Sequence, residues 1–244
     1  MNNELLLITG EDIPFIEAQT TIHQPTMKEI SLIGEESFFI GCKFLNFSKD
    51  ILSEQDKNGL ENRSDFEIFM SIMQAKERKD IYNNVLMVLA LLFPNCEIKV
   101  TRNEIILIQK EQGMTRINNE NYDIFKDIIN SMFELSNSEL AGGDYNPVDA
   151  RASKIAEKLR KHKEKIASNK GQVNKVAIFS RYISILTVGL EKNMNDFNNY
   201  TVFQLMDEFK RYQKKQSFDM YVQAKMAGAK DLEEVDNWMD DIHS

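Results

Sequence analysis

Cysteine, histidine and long apolar runs are scarce in this chain, and each scarcity excludes something. Cys42 and Cys96, the two cysteines in 244 residues, are too few for a disulfide framework and fit a reducing compartment. His23 is the one histidine of the first half and has no second ligand near it in sequence, so it reads as structural or surface rather than metal-binding. There is no Gly-rich phosphate loop, no G-x-S-x-G, no paired-His motif and no C-x-x-C. The adjacent acids Glu35-Glu36, Glu233-Glu234 and Asp240-Asp241 point to different faces of a helix, and read as solvated charge rather than acid/base pairs. The expectation is therefore a protein that is not an enzyme, with no catalytic, cofactor-binding or metal residue and no cofactor. The longest apolar run, Val85–Phe93, is far short of the roughly 20 residues that cross a bilayer, and Met1–Asp12 lacks a basic leader. No membrane partner is expected, and an intracellular protein is.

What is present is the material of a core. A hydrophobic fraction of 42% beside 28% charged residues is that of a globular protein and not of a disordered one. The net charge of −8 disfavours general affinity for nucleic acid. The pattern predicts a mainly α (α+β) fold: a helical bundle with one small β-hairpin, followed by a helical C-terminal part. Leu5–Ile8 reads as a strand or a docked arm, and Ile13-Pro14 and Thr20–Pro25 as extended chain. A helix starting at Pro25-Thr26 carries Met27, Ile30, Ile33, Phe38 and Cys42 inward, with Gly34 and Gly41 against one unbroken rod. Asp65 is the expected cap of a helix with Phe66, Phe69, Met70 and Met73 on one face. Asp80–Phe93 is apolar nearly all round and reads as the central core helix of the first half. Cys96–Val100 and Glu104–Ile108 form the hairpin, with Thr101-Arg102-Asn103 at its turn. Asn118–Leu135 places Tyr122, Phe125, Ile128, Ile129, Met132 and Phe133 at helical spacing. These Met and Phe stripes read as core, with a Met-rich binding groove as the alternative.

The segment Gly142–Gly171 organises the rest. It opens on Gly142-Gly143 and Asn146-Pro147, which break helices. Its apolar stripe from Val148 to Ala167 is only Ile155, Leu159 and Ile166. The expected domains are thus 1–141, helical with the hairpin; 142–171, a charged linker helix; and 172–244, helical with an acidic amphipathic tail. Arg151, Lys154, Lys158, Arg160, Lys161, Lys163 and Lys165 are the best nucleic-acid candidate. They are interleaved with Asp149, Glu157 and Glu164 and lack an aromatic for stacking. A solvated linker, or a contact with the acidic tail, explains them better, so no nucleic-acid partner is expected. Val173–Leu190 reads as a strongly apolar helix broken at Asn193–Asn199. Thr201 caps a long last helix, which ends at Gly228. The tail then places Leu232, Val235, Trp238, Met239 and Ile242 at helical spacing among acids. Trp238 either pins this tail to its own core or anchors a partner. Trp238, Val235, Met239 and Tyr221 are the candidate partner-binding residues.

Two stretches resemble a known group. Ile22–Glu36 (IHQPTMKEISLIGEE) is similar to the opening of proteins encoded in tail-gene clusters of phages and prophages of Gram-positive bacteria. Phe218–Asp231 and Val235–Met239 are similar to their C-terminus. The resemblance covers the two ends, and the middle only in helix pattern; it carries no functional residue with it. It implies a tail assembly chaperone in the host cytoplasm that escorts the tape-measure protein. Chaperones of this kind commonly have a first half that can exist alone and a second half added in a longer form. The alternative is a structural component of the virion tail or baseplate, and a nucleic-acid-binding regulator is a third reading. The implied partners are phage tail proteins, the tape measure or others, with a homo-oligomer left open.

Overall fold

The structure is a computed structural model and describes residues 3–49, 60, 62–75, 78–109, 113–133, 177–229, 232 and 234–240. The expected joint Gly142–Gly171 and its basic run lie outside the described residues. All described residues except Ala177 belong to one compact unit, which spans 1–134 and 178–244.

Helices and strands follow in the order α1 (Glu4–Thr9), β1 (Ile13–Phe15), β2 (Thr20–Ile22), α2 (Met27–Ile33), α3 (Glu35–Leu45), α4 (Asp65–Gln74), α5 (Lys79–Leu92), β3 (Cys96–Val100), β4 (Ile105–Gln109), β5 (Gly113–Ile117), α6 (Tyr122–Phe133), α7 (Ile178–Leu190) and α8 (Val202–Met226). This is the expected α+β class. The hairpin is present in the register Ile98 to Leu107, and a third antiparallel strand, β5, extends it with Ile105 opposite Ile117. The extended N-terminal segments pair as a two-stranded ribbon, β1 with β2. Leu5–Ile8 is helical rather than a strand, closed by Gly10 in the left-handed conformation at φ 75°.

The stripe of α6 is the centre of the core. All six residues expected inward, from Tyr122 to Phe133, are buried. Phe125 faces Phe15 of β1 and Phe93 at ring-centroid separations of 5.9 and 6.2 Å. Tyr122 packs on Phe66 and Phe69 of α4 and donates its hydroxyl to the carbonyl of Leu45 at 2.9 Å. Phe133 meets Phe38 of α3 edge-on at 5.1 Å. Aromatic pairs in such geometries add to the stabilisation that burial alone provides. Met70, Met73 and Met132 are buried among them, so the methionine stripes are core.

Other local expectations shift for identifiable reasons. Helix α4 is capped by Ser64 rather than Asp65: Ser64 accepts from the Glu67 N–H, and the Glu67 carboxylate accepts from the Ser64 N–H. Asp65 is left to accept from Lys126 of α6 at 2.9 Å. Burial opposes its charge, but Lys126 and the Lys49 N–H outweigh this and lower its pKa. Helix α5 buries Ile81, Val85, Val88, Leu89 and Leu92, whereas Met87 is exposed. It therefore has one inner face and is not apolar-packed all round. Gly34, at φ 85° and ψ 145°, divides the helix expected from Thr26 into α2 and α3. Glu35 is more than a solvated acid. It accepts from the Phe179 N–H and the Ser180 hydroxyl, satisfying donors in the first turn of α7 that no intrahelical carbonyl reaches.

Helices α3 and α5 approach through Gly41. A Cβ there would come within 2.5 Å of Val88 Cγ2 and 2.6 Å of the Asn84 carbonyl oxygen, and the backbone atom cannot rotate away. Gly41→Ala is expected to lower stability by about 2 kcal/mol, as overpacking a close helix contact does. A urea denaturation midpoint equal to that of the parent chain would refute this packing.

Candidate partner-binding surface

The last helix changes character along its length. Thr201 caps α8 and shares a capping box with Gln204. In its first turns Val202, Phe203, Leu205, Met206 and Phe209 are buried. Beyond Phe209 the apolar residues continue, but none of them is fully buried. Tyr212, Phe218 and Tyr221 are half-buried, and Met220 and Met226 are 62% and 83% exposed. With 25 residues at 1.5 Å each, α8 is about 37 Å long and outruns the core beneath its first turns.

Helix α7 lies beside it. Tyr182 stacks on Phe209 with centroids 3.8 Å apart. Gly189 receives the Tyr212 ring so closely that a Cβ would lie 2.4 Å from its Cζ. Only Phe179 and Leu186 of α7 are buried, and Val188 is 79% exposed. The strongly apolar helix expected here is thus covered on one side only. Past its end, Lys192 donates to the Tyr200 hydroxyl at 2.9 Å and to the Glu208 carboxylate. Its ammonium also lies over the Phe197 and Tyr200 rings. Burial opposes this charge, but the bonds to Glu208 and Tyr200 prevail and raise its pKa.

Between these elements runs a groove of about 510 Å³, lined by Ile8, Leu190, Tyr200, Phe203, Gln204, Asp207, Glu208, Arg211, Tyr212, Lys215 and Trp238. Its lining combines aromatic and aliphatic side chains with a charged set. Arg211 pairs with Asp207 at 3.3 Å, and Lys215 bonds Asp219 at 2.7 Å. Such a combination has room and chemistry for a peptide segment with an apolar anchor.

Of the four residues expected to bind a partner, the structure brings one into this groove: Trp238, which is half-buried there. Val235 is half-buried elsewhere along the tail, and Met239 is 66% exposed. Tyr221 sits on α8 with the Lys225 ammonium 4.6 Å from its ring centroid. The expected amphipathic tail helix is not seen among the described residues. Trp238 and Met239 form a turn, in which Asn237 accepts from the Met239 N–H with its side chain and from the Asp240 N–H with its carbonyl. Asn side chains compete with helical bonding in this way, and a segment this short has little helical stability of its own. Ile8, Arg211 and Lys215 carried no local signal as groove residues, because three separate segments converge there.

Residues 169–243 match the family model of the YomV second domain. YomV is a Bacillus prophage-encoded protein, and the groove-forming C-terminal part is thereby similar to a phage-associated domain family. This agrees with the phage association implied by the resemblance of the chain's two ends. No curated protein and no solved structure matches the chain. Among the described residues no helix is long and apolar enough to cross a membrane.

His23 belongs to a separate ionic cluster. Its Nδ1 lies 2.9 Å from Asp12 and its Nε2 3.3 Å from Glu29; Glu29 also accepts from the Thr26 N–H and hydroxyl. Both ring nitrogens are engaged by carboxylates. Burial opposes the imidazolium, but the two carboxylates prevail and raise its pKa above the ordinary 6.5. The folded state therefore gains stability from protonated His23 below its unfolded pKa, and loses it as pH rises through the higher folded value. His23→Gln is expected to lower the melting temperature at pH 5.5 and to cost progressively less towards pH 9. A pH-independent difference in thermal melts would remove this charge from the account.

Proposed function

We propose that this chain is a phage tail-morphogenesis protein that acts by protein–protein binding, as an assembly chaperone engaging the tape-measure protein. The observation that carries the proposal is the apolar groove and uncovered helix face built by the C-terminal part, the part that matches a phage-associated domain. A long helical client with a repeating apolar stripe finds there a rigid partner helix and a pocket for a large anchor. Tyr221 on α8, with the exposed Met220 and Met226, lies on the contact face, and Val235, Trp238 and Met239 on the tail lie beside it. The action proposed is binding and release in the host cytoplasm, without chemistry on the client.

A chaperone of this kind leaves the particle, whereas a tail or baseplate subunit stays in it. Mass spectrometry of purified virions beside the infected-cell lysate is expected to find the chain abundant in the lysate and missing from particles. Copurification with tail proteins at a fixed ratio would make it a virion component and end the chaperone reading. At the level of residues, placing Asp at both Met220 and Met226 is expected to weaken capture of co-expressed tape measure at least ten-fold. The far-UV circular dichroism should not change. Undiminished capture would move the contact away from this face.

A further inference from the structure

The chain already shows what fits its groove. After α8 ends at Met226, the tail folds back along the same helix. Glu234 adds to the charge around Lys225, whose pKa is raised first by the Tyr221 hydroxyl, and Trp238 lines the groove beside Arg211, Tyr212 and Lys215. Since α8 ends at Met226 and Trp238 shares the groove with positions 207–215, the tail returns along the helix towards its first half. Charge follows the same pattern. Residues 210–225 hold five bases (Lys210, Arg211, Lys214, Lys215, Lys225) and one acid (Asp219), or +4; residues 231–244 hold six acids and no Lys or Arg, or −6. The hydrogen bonds of the described tail residues are local, within Asn237–Asp240. Among the described tail residues Trp238 is the one that lines the groove, and the charges of tail and helix are complementary, which suits an intramolecular contact held at high effective concentration and open to a competitor.

We infer that the Trp238 tail is an autoinhibitory strap: it closes the groove in the free chain, and the partner opens it by presenting a segment of the same chemistry, an aromatic anchor flanked by acids. The inference rests on the binding reading above and specifies its ligand. The strap competes for the groove, so its removal strengthens binding of an external segment. A client must supply enough additional contact to overcome the intramolecular competitor, which makes the strap a specificity filter.

The test uses the full chain and a fluorescein-labelled peptide of residues 231–244. By fluorescence polarisation, full-length Trp238→Ala is expected to bind this peptide at least ten-fold more tightly than the parent chain. Adding Arg211→Glu and Lys215→Glu to that variant should abolish the gain. A second readout needs no variant of the protein, since Trp238 is the sole tryptophan. The unlabelled peptide carrying Trp238→Phe should shift the parent chain's Trp emission to the red, saturably, as the strap is displaced. Equal affinity of parent and Trp238→Ala, or no binding by Trp238→Ala at millimolar peptide, would overturn the inference. So would an emission maximum that is already that of free tryptophan and does not move. None of these readouts involves the tape measure or the virion, so the strap and the chaperone reading fail separately.

Discussion

Two helix N-caps, 175 residues apart by number, pair with each other: Thr26 and Thr201 form an antiparallel bridge, and the Met27 N–H donates to the Tyr200 carbonyl at 2.8 Å. Each threonine holds its own capping box, with Glu29 and Gln204. The extended conformation that an N-cap needs is therefore also the one that forms the bridge. Gln204 extends the junction further. Its side-chain oxygen accepts from the Thr201 N–H, and its amide donates to the Ile8 carbonyl at 2.8 Å. Helices α1, α2 and α8 consequently start or end at one polar seam whose backbone groups satisfy one another, and the orientation of α8 follows from it.

That orientation produces the groove and the uncovered apolar face of α8. Once the first turns of α8 are seated, the remainder of a 25-residue helix has nowhere to bury its apolar side chains. Met220 and Met226 are left outside, and the groove forms where α1, α7 and the tail come alongside. Exposed apolar surface of this kind weakens solubility, and it is the surface on which the proposed contact is placed. The Trp238 strap answers the same constraint by covering part of the surface with an acidic segment against basic α8.

The core and the surface differ in how openly they stand in the sequence. The α6 stripe, the Thr201 cap and the presence of the hairpin are local: spacing of 3.6 or 2 residues and the chemistry of one cap determine them, and they appear as expected, whereas the strand after the turn begins at Ile105 rather than Glu104. The Ser64 cap was missed because Ser64 and Asp65 are both good caps and only the helix trajectory chooses between them. The tail does not form the expected helix among its described residues, since apolar spacing among acids does not outweigh the turn that Asn237 makes. Glu35 as the cap of α7 had no signal at all, because donor and acceptor are separated by 144 residues.

Local chemistry along the chain suffices for the α+β class, the inward face of α6, the helix start at Thr26, the cap at Thr201, and Trp238 as the distinctive residue of an acidic tail. These depend on interactions within a few residues, where the order of side chains is the whole cause. Tertiary structure alone decided that 178–229 packs on the N-terminal body, that α8 is half core and half surface, and that Trp238 turns back into a groove built from α1, α7 and α8. Those outcomes depend on which surfaces remain uncovered after the core has formed, and no local pattern of residues encodes that remainder.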